Sequence, residues 1–124
     1  VTGGQSGGRE CGKPAVHVRY AGECSALVRH VEYGLEEESV PWALRESSAD
    51  AVTAAYEAAD ASRLRVGVGV SSAGEVVLHH RRLPEREPLT RVADATPGDA
   101  RAIGSNAARL VKRLPLRPLA DGDA

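Results

Sequence analysis

Apolar residues recur along this chain with two different periods, and the switches between them mark out its elements. Ala15–Tyr20 (AVHVRY) alternates about Val16 and Val18, the period-two signature of a strand. From Ser25, a candidate N-cap, the residues Leu27, Val28, Val31 and Leu35 fall on one helical face. This helix is predicted to run to about Glu38, because Pro41 disfavours helical backbone in the residue before it. Pro41–Glu46 places Trp42 and Leu44 on one side, a short strand whose proline suits a sheet edge. Ser48 and Asp50 are candidate caps for a second helix, about Ala49–Ala61, with Val52, Ala55, Tyr56 and Ala59 on its buried stripe. Its many alanines favour the helix and keep it thin enough to lie close to a sheet.

Arg65–Val70 puts Val66, Val68 and Val70 on one face and Gly67 and Gly69 on the other, so a neighbour must pack closely over the glycine face. Ser71–Gly74 reads as a turn and Glu75–His80 as the partner strand of a hairpin. A loop with Pro84 and Pro88 follows, then a short strand at Leu89–Val92. Pro97 and Gly98 open a last helix, about Asp99–Arg113, with Ile103, Ala107, Leu110, Val111 and Leu114 as its apolar stripe. The order β-α-β-α-β-β-β-α predicts an α/β fold: a small three-layer Rossmann-like sandwich whose mixed sheet has a parallel start and an antiparallel hairpin. Residues 1–13 hold five glycines and little apolar content, which predicts a flexible tail before a single domain at 14–119 and a frayed end at 120–124.

Length and composition narrow the class. A chain of 124 residues, 42% hydrophobic and 27% charged, fits one globular domain with its own core. No apolar run approaches the ~20 residues of a membrane-spanning helix, and no secretory signal is visible, so a cytoplasmic protein without a membrane partner is expected. Cys11 and Cys24 make neither a disulfide framework nor a zinc site. The net charge of −1 hides a polarity: residues 1–62 carry ten acids against five bases, and residues 63–124 carry seven acids against eleven bases. That imbalance suggests one acidic and one basic surface. With Trp42, three tyrosines and no phenylalanine, little is available for base stacking, so nucleic acid is not an expected partner.

Most candidate motifs dissolve on inspection. Gly67–Gly74 (GVGVSSAG) fails the dinucleotide fingerprint at Ser72, and Glu75 stands where a phosphate loop needs lysine. Adjacent His79 and His80 on a strand point to opposite faces and cannot jointly hold one ion. No Ser/His/Asp or Cys/His arrangement supports a catalytic nucleophile, so no catalytic residue is assigned. Glu36-Glu37-Glu38 is the unusual feature. Carboxylates at a helix C-terminus oppose its macrodipole and repel one another. Three readings remain open: a solvated acidic helix end, a site shared with a hard cation such as Mg²⁺, or a salt-bridging contact with a basic partner.

The run Gly34-Leu35-Glu36-Glu37-Glu38-Ser39-Val40-Pro41-Trp42 and the run from Ser105 to Arg117 (SNAARLVKRLPLR) together carry a resemblance. So does the loop with Leu83-Pro84 and Pro88-Leu89. The chain resembles the small subunit of the reactivating factor for adenosylcobalamin-dependent diol and glycerol dehydratases, over about Ala15 to Leu119. Ser39 replaces the family's usual glycine, and Trp42 its common phenylalanine. The resemblance implies a non-catalytic, chaperone-like subunit that pairs with a large ATPase subunit as α₂β₂. The small subunit is implied to change places with the dehydratase's medium subunit, pairing with the dehydratase large subunit, so that damaged cobalamin leaves. It implies Mg²⁺ at the interface with the large subunit, ligated by Glu37, and ATP on that partner rather than on this chain. Glu36, Glu38, Pro41, Trp42, Asn106, Arg109 and Lys112 are the expected partner-interface residues, and the implied address is the cytoplasm or a bacterial microcompartment. Two other classes stay open. The medium subunit of the dehydratase itself would be marked by cobalamin binding. A generic α/β interaction module using the basic half would be marked by salt-sensitive binding to nucleic acid.

Overall fold

The computed structural model describes residues 14–119; the expected flexible tail, 1–13, and frayed end, 120–124, lie outside the described residues. The elements come in the expected order. They are β1 (Val16–Tyr20), a 3-10 turn (Gly22–Cys24), α1 (Ser25–Glu37), β2 (Trp42–Glu46), α2 (Ala51–Ala61), β3 (Val66–Val70), β4 (Val76–His80), β5 (Thr90–Val92) and α3 (Pro97–Lys112). Among the described residues one five-stranded mixed sheet forms, in the order β2-β1-β3-β4-β5. β2, β1 and β3 run parallel, while β3-β4 and β4-β5 are antiparallel. β2 lies at an edge, where its leading proline costs no ladder hydrogen bond.

The helix starts differ from the sequence expectation, each for a local reason. α1 begins at Ser25 itself, and Cys24 is its N-cap without a side-chain bond. The 3-10 turn delivers the chain there, and the Cys24 thiol donates instead to the Ser71 carbonyl at 2.9 Å. α2 begins at Ala51 because Asp50, rather than Ser48, accepts the Thr53 amide at 3.3 Å. α3 starts at Pro97, two residues early. Thr96 and Asp99 form a reciprocal capping box around it, and proline loses nothing at a first helical position.

Each face of the sheet has its own cover. Val16, Val18, Val66, Val68, Val70, Val76 and Leu78 share a core with Val28, Val31 and Leu35 of α1 and with Ala100, Ile103 and Ala107 of α3. On the opposite face Val77 packs with Ala51, Val52 and Ala55 of α2. The predicted close neighbour of the glycine face is α2. A Cβ on Gly67 or Gly69 would come within 3.0 Å of α2 backbone atoms. The same device joins α1 to α3: a Cβ on Gly34 would strike the backbone of α3, and one on Gly104 the backbone of Val31.

His79 is fully buried and its ring stands edge-on to Tyr56, centroids 5.3 Å apart. Its Nδ1 accepts the His80 amide at 3.0 Å, so Nε2 carries the proton and donates to the Glu85 carbonyl at 2.9 Å. Both nitrogens are satisfied, and His80 is only half-buried. The pair is a strand feature rather than an ion site.

These contacts have a measurable consequence. Gly67→Ala and Gly104→Ala are each expected to destabilise the fold by about 1–3 kcal/mol through overpacking against backbone. Gly22→Ala meets only the movable end of Glu46 and should change stability by less than about 0.5 kcal/mol. Urea unfolding of the three variants checks the ranking; equal effects would contradict it.

Candidate functional site

The acidic run closes α1. Leu35 is buried, Glu36 and Glu37 are exposed, and Glu38 is the C-cap. Ser39 then turns into the left-handed region at φ 61°. Its amide bonds to the Glu36 carbonyl at 3.0 Å, and the Val40 amide reaches back to the Leu35 carbonyl at 3.3 Å. Those two bonds are a Schellman closure, with Val40 and Leu35 both in the core beneath it. Serine therefore adopts the conformation that glycine takes most cheaply, at a cost of about 1 kcal/mol.

The expected separation into an acidic and a basic surface does not occur at this site. Because α1 and α3 cross in backbone contact, the acids meet the bases of α3. Glu37 pairs with Arg101, and its other oxygen lies 3.6 Å from Nη1 of Arg117. Glu38 accepts from the Ser105 hydroxyl at 2.9 Å and from Arg109 Nε at 3.0 Å. Lys112 donates to the Glu38 main-chain carbonyl, a favourable place for a cation at a helix C-terminus. The repulsion anticipated within the acidic run is thus relieved inside the chain for Glu37 and Glu38. Glu36 makes no ion pair among the described residues.

The segment after α3 folds back onto the same junction. Asn106 is 3% exposed and uses its whole amide on residue 117: Nδ2 donates to the Arg117 carbonyl at 2.9 Å, and Oδ1 accepts the Arg117 amide at 2.6 Å. Arg109 Nη1 donates to the Pro115 carbonyl at 3.0 Å. This strap brings the Arg117 guanidinium to Glu37 and to the Ser105 hydroxyl, and leaves Leu114 and Leu116 exposed. Trp42 is half-buried against the core, and its indole donates to Glu32 at 3.0 Å. Pro41 is exposed, with its carbonyl accepting the Val16 amide.

Of the residues anticipated from sequence, Glu36, Glu37, Glu38, Arg109 and Lys112 gather at one junction, and Pro41 and Trp42 follow directly from it. Asn106 belongs to the junction as a buried clamp whose amide nitrogen and oxygen both bond to Arg117. Sequence reasoning missed Arg101, Ser105 and Arg117. Arg101, Ser105, Arg109 and Lys112 recur at helical spacing beside the apolar stripe, and that polar row is the signal that could have found them.

The family model described as dehydratase medium subunit matches residues 13–117. That match and the fold define a member of the dehydratase medium-subunit family. The propanediol dehydratase-reactivating factor small subunit of Salmonella typhimurium is 37% identical over 108 residues, spanning 86% of this chain and 92% of that protein. Its counterpart from Citrobacter freundii is 39% identical over 106 residues, spanning 84% and 90%. A solved glycerol dehydratase reactivase superposes with a TM-score of 0.79 at 34% identity, over 85% of this chain and 97% of that one. A diol dehydratase-reactivating factor solved with ADP and Mg²⁺ gives 0.77 at 36% identity, over 85% and 98%. The chain belongs to the small subunits of the diol and glycerol dehydratase-reactivating factors.

The hydrogen bond from Ser105, then Arg109, holds the Glu38 carboxyl below its ordinary range. A carboxyl with a lowered folded pKa stabilises the fold above its unfolded value, about 4.3 for glutamate, and loses that contribution as pH falls through the folded value. Glu38→Gln should therefore be less stable than wild type at about pH 7, with the gap narrowing at about pH 3. Denaturant unfolding at the two pH values checks this, and a pH-independent gap would contradict it.

Proposed function

We propose that this chain is the non-catalytic small subunit of an ATP-dependent reactivase, and that the α1–α3 junction faces its large subunit. The observation that supports this most is the junction's composition. An unpaired Glu36, the exposed apolar side chains of Leu114 and Leu116, and exposed Pro41 lie beside a cluster of matched charges. Such a mixture of apolar anchors and reassignable ion pairs suits a subunit surface that must also let go. In this reading ATP is bound and hydrolysed by the large subunit, two copies of each subunit assemble, and the small subunit trades places with its counterpart in the dehydratase so that damaged cobalamin leaves. The solved relative containing ADP and Mg²⁺ supports nucleotide and metal being part of such assemblies. Helices on both faces of a partly parallel sheet support the three-layer, Rossmann-like description. The absence, among described residues, of a helix long and apolar enough to cross a membrane suits a cytoplasmic or microcompartment address.

The chain's own residues fit a Mg²⁺ only in part. No group of three or more His, Cys, Asp or Glu among the described residues is placed to hold a metal. Glu37 offers one carboxylate, already paired with Arg101. Mg²⁺ usually takes only one or two protein carboxylates and fills the rest of its shell with water or partner groups. In this reading Glu37, the position the family resemblance points to, would be this chain's ligand, with Arg101, 55% exposed, turning away from it. The metal's contribution would be to bridge the two subunits by charge.

The family model's own description favours one other reading, a medium subunit of the dehydratase. The curated relatives, spanned over about nine-tenths of their length, are reactivating-factor subunits.

Co-purification with the large subunit, with and without Mg²⁺, tests the proposal. Glu37→Ala is expected to weaken Mg²⁺-dependent association while changing stability by less than about 0.5 kcal/mol, as for an exposed, solvent-screened pair. Unchanged association with unchanged magnesium dependence would remove the metal role from Glu37.

A further inference from the structure

On the α2 face of the sheet, α2 covers β1, β3 and β4 but leaves β2 open. A groove of about 140 Å³ runs there, lined by His17 and Arg19 of β1, Ala43 and Arg45 of β2, and Ala61 at the end of α2. The parallel register sets Arg19 directly beside Arg45, and His17 beside Ala43. Like charges placed side by side on one sheet face destabilise the fold, so this arrangement is unfavourable in the free chain. Only part of it is answered internally. Arg19 Nη1 reaches Glu57 at 3.3 Å, while its Nε is buried without a partner. Arg45 makes no ion pair among the described residues. The nearby Asp60 is engaged with Arg81 at 3.4 Å.

We propose that His17, Arg19 and Arg45 form a binding site for a single carboxylate, independent of the α1–α3 junction. Two guanidinium groups set against the one Glu57 leave a net charge of about +1, which a monoanion neutralises. The guanidinium fork matches a planar carboxylate through paired N–H donors. Arg45 is exposed and without an ion pair among the described residues, so its guanidinium is open to an incoming carboxylate. His17 is held below its ordinary pKa, first by burial and then by Arg19 and Arg45. The neutral ring still has one N–H to give. A groove of this size accommodates one such group. The carboxylate could come from a free organic acid or from an acidic side chain on another protein, and the two sources are separable by experiment.

The test follows the His17 ring and Arg45 side-chain resonances of the whole chain by NMR, at constant ionic strength balanced with chloride. Sodium acetate is one probe and a capped tripeptide with a central glutamate is the other. Saturable shifts confined to this groove are expected with at least one probe, and tighter binding of the peptide assigns the source to a protein partner. Arg45→Gln should weaken the binding about tenfold, the size of one charge-assisted hydrogen bond. Arg86→Gln, at a basic residue outside the groove, should leave it unchanged. Arg45→Gln should also raise the thermal midpoint of the unliganded chain, because it removes the like-charge contact. Absent or non-saturable shifts, equal losses in the two variants, or a lowered midpoint in Arg45→Gln would each overturn the site.

Discussion

The backbones of α1 and α3 touch where Gly34 faces Arg101 and Gly104 faces Val31, and much else follows from that contact. With any side chain at those positions the helices would have to move apart, and their facing polar rows would separate with them. At the observed approach, the end of α1 sits against the side of α3. The Glu37 and Glu38 carboxylates then reach Arg101, Ser105 and Arg109 without any long loop to carry them. The Schellman closure at Ser39 completes the arrangement by turning the chain sharply back into the core at Val40 and on to β2.

The charges at this junction form a linked set rather than separate pairs. Ser105 donates to Glu38 and accepts from Arg117; Arg109 holds both Glu38 and the strap at Pro115; Arg117 is pinned through its backbone by Asn106. The exposed Arg101–Glu37 pair contributes little to stability by itself, whereas the contacts of Glu38 are partly buried. Together they fix the strap and neutralise Glu37 and Glu38 within the chain.

Much of the fold was legible in the sequence because its elements carry strong periods. The alternation about Val16 and Val18, the valine–glycine alternation of β3, and the stripe from Ile103 to Val111 each specify an element and the face it buries. Gly67 and Gly69 also announced a close neighbour, and α2 is that neighbour. Helix starts were less legible, because Cys24, Asp50 and Thr96 win the N-cap positions through contacts or competition a linear reading does not weigh. At the junction, the acidic run was conspicuous but its destination was not. Which bases answer Glu37 and Glu38 depends on the helix crossing, and on a strap held by Asn106, whose partner eleven residues on no local period specifies. The groove at Arg19 and Arg45 was invisible for a similar reason. Its two arginines are 26 positions apart and meet only through strand register.

In the proposed assembly the α1–α3 junction is the surface that meets the large subunit. Hydrogen exchange of the assembled two-subunit complex against the free chain tests this most directly. Added protection is expected at the end of α1, through residues 36–42, and along the strap at residues 114–117. Protection confined to other parts of the chain, with these two segments exchanging as they do alone, would contradict it.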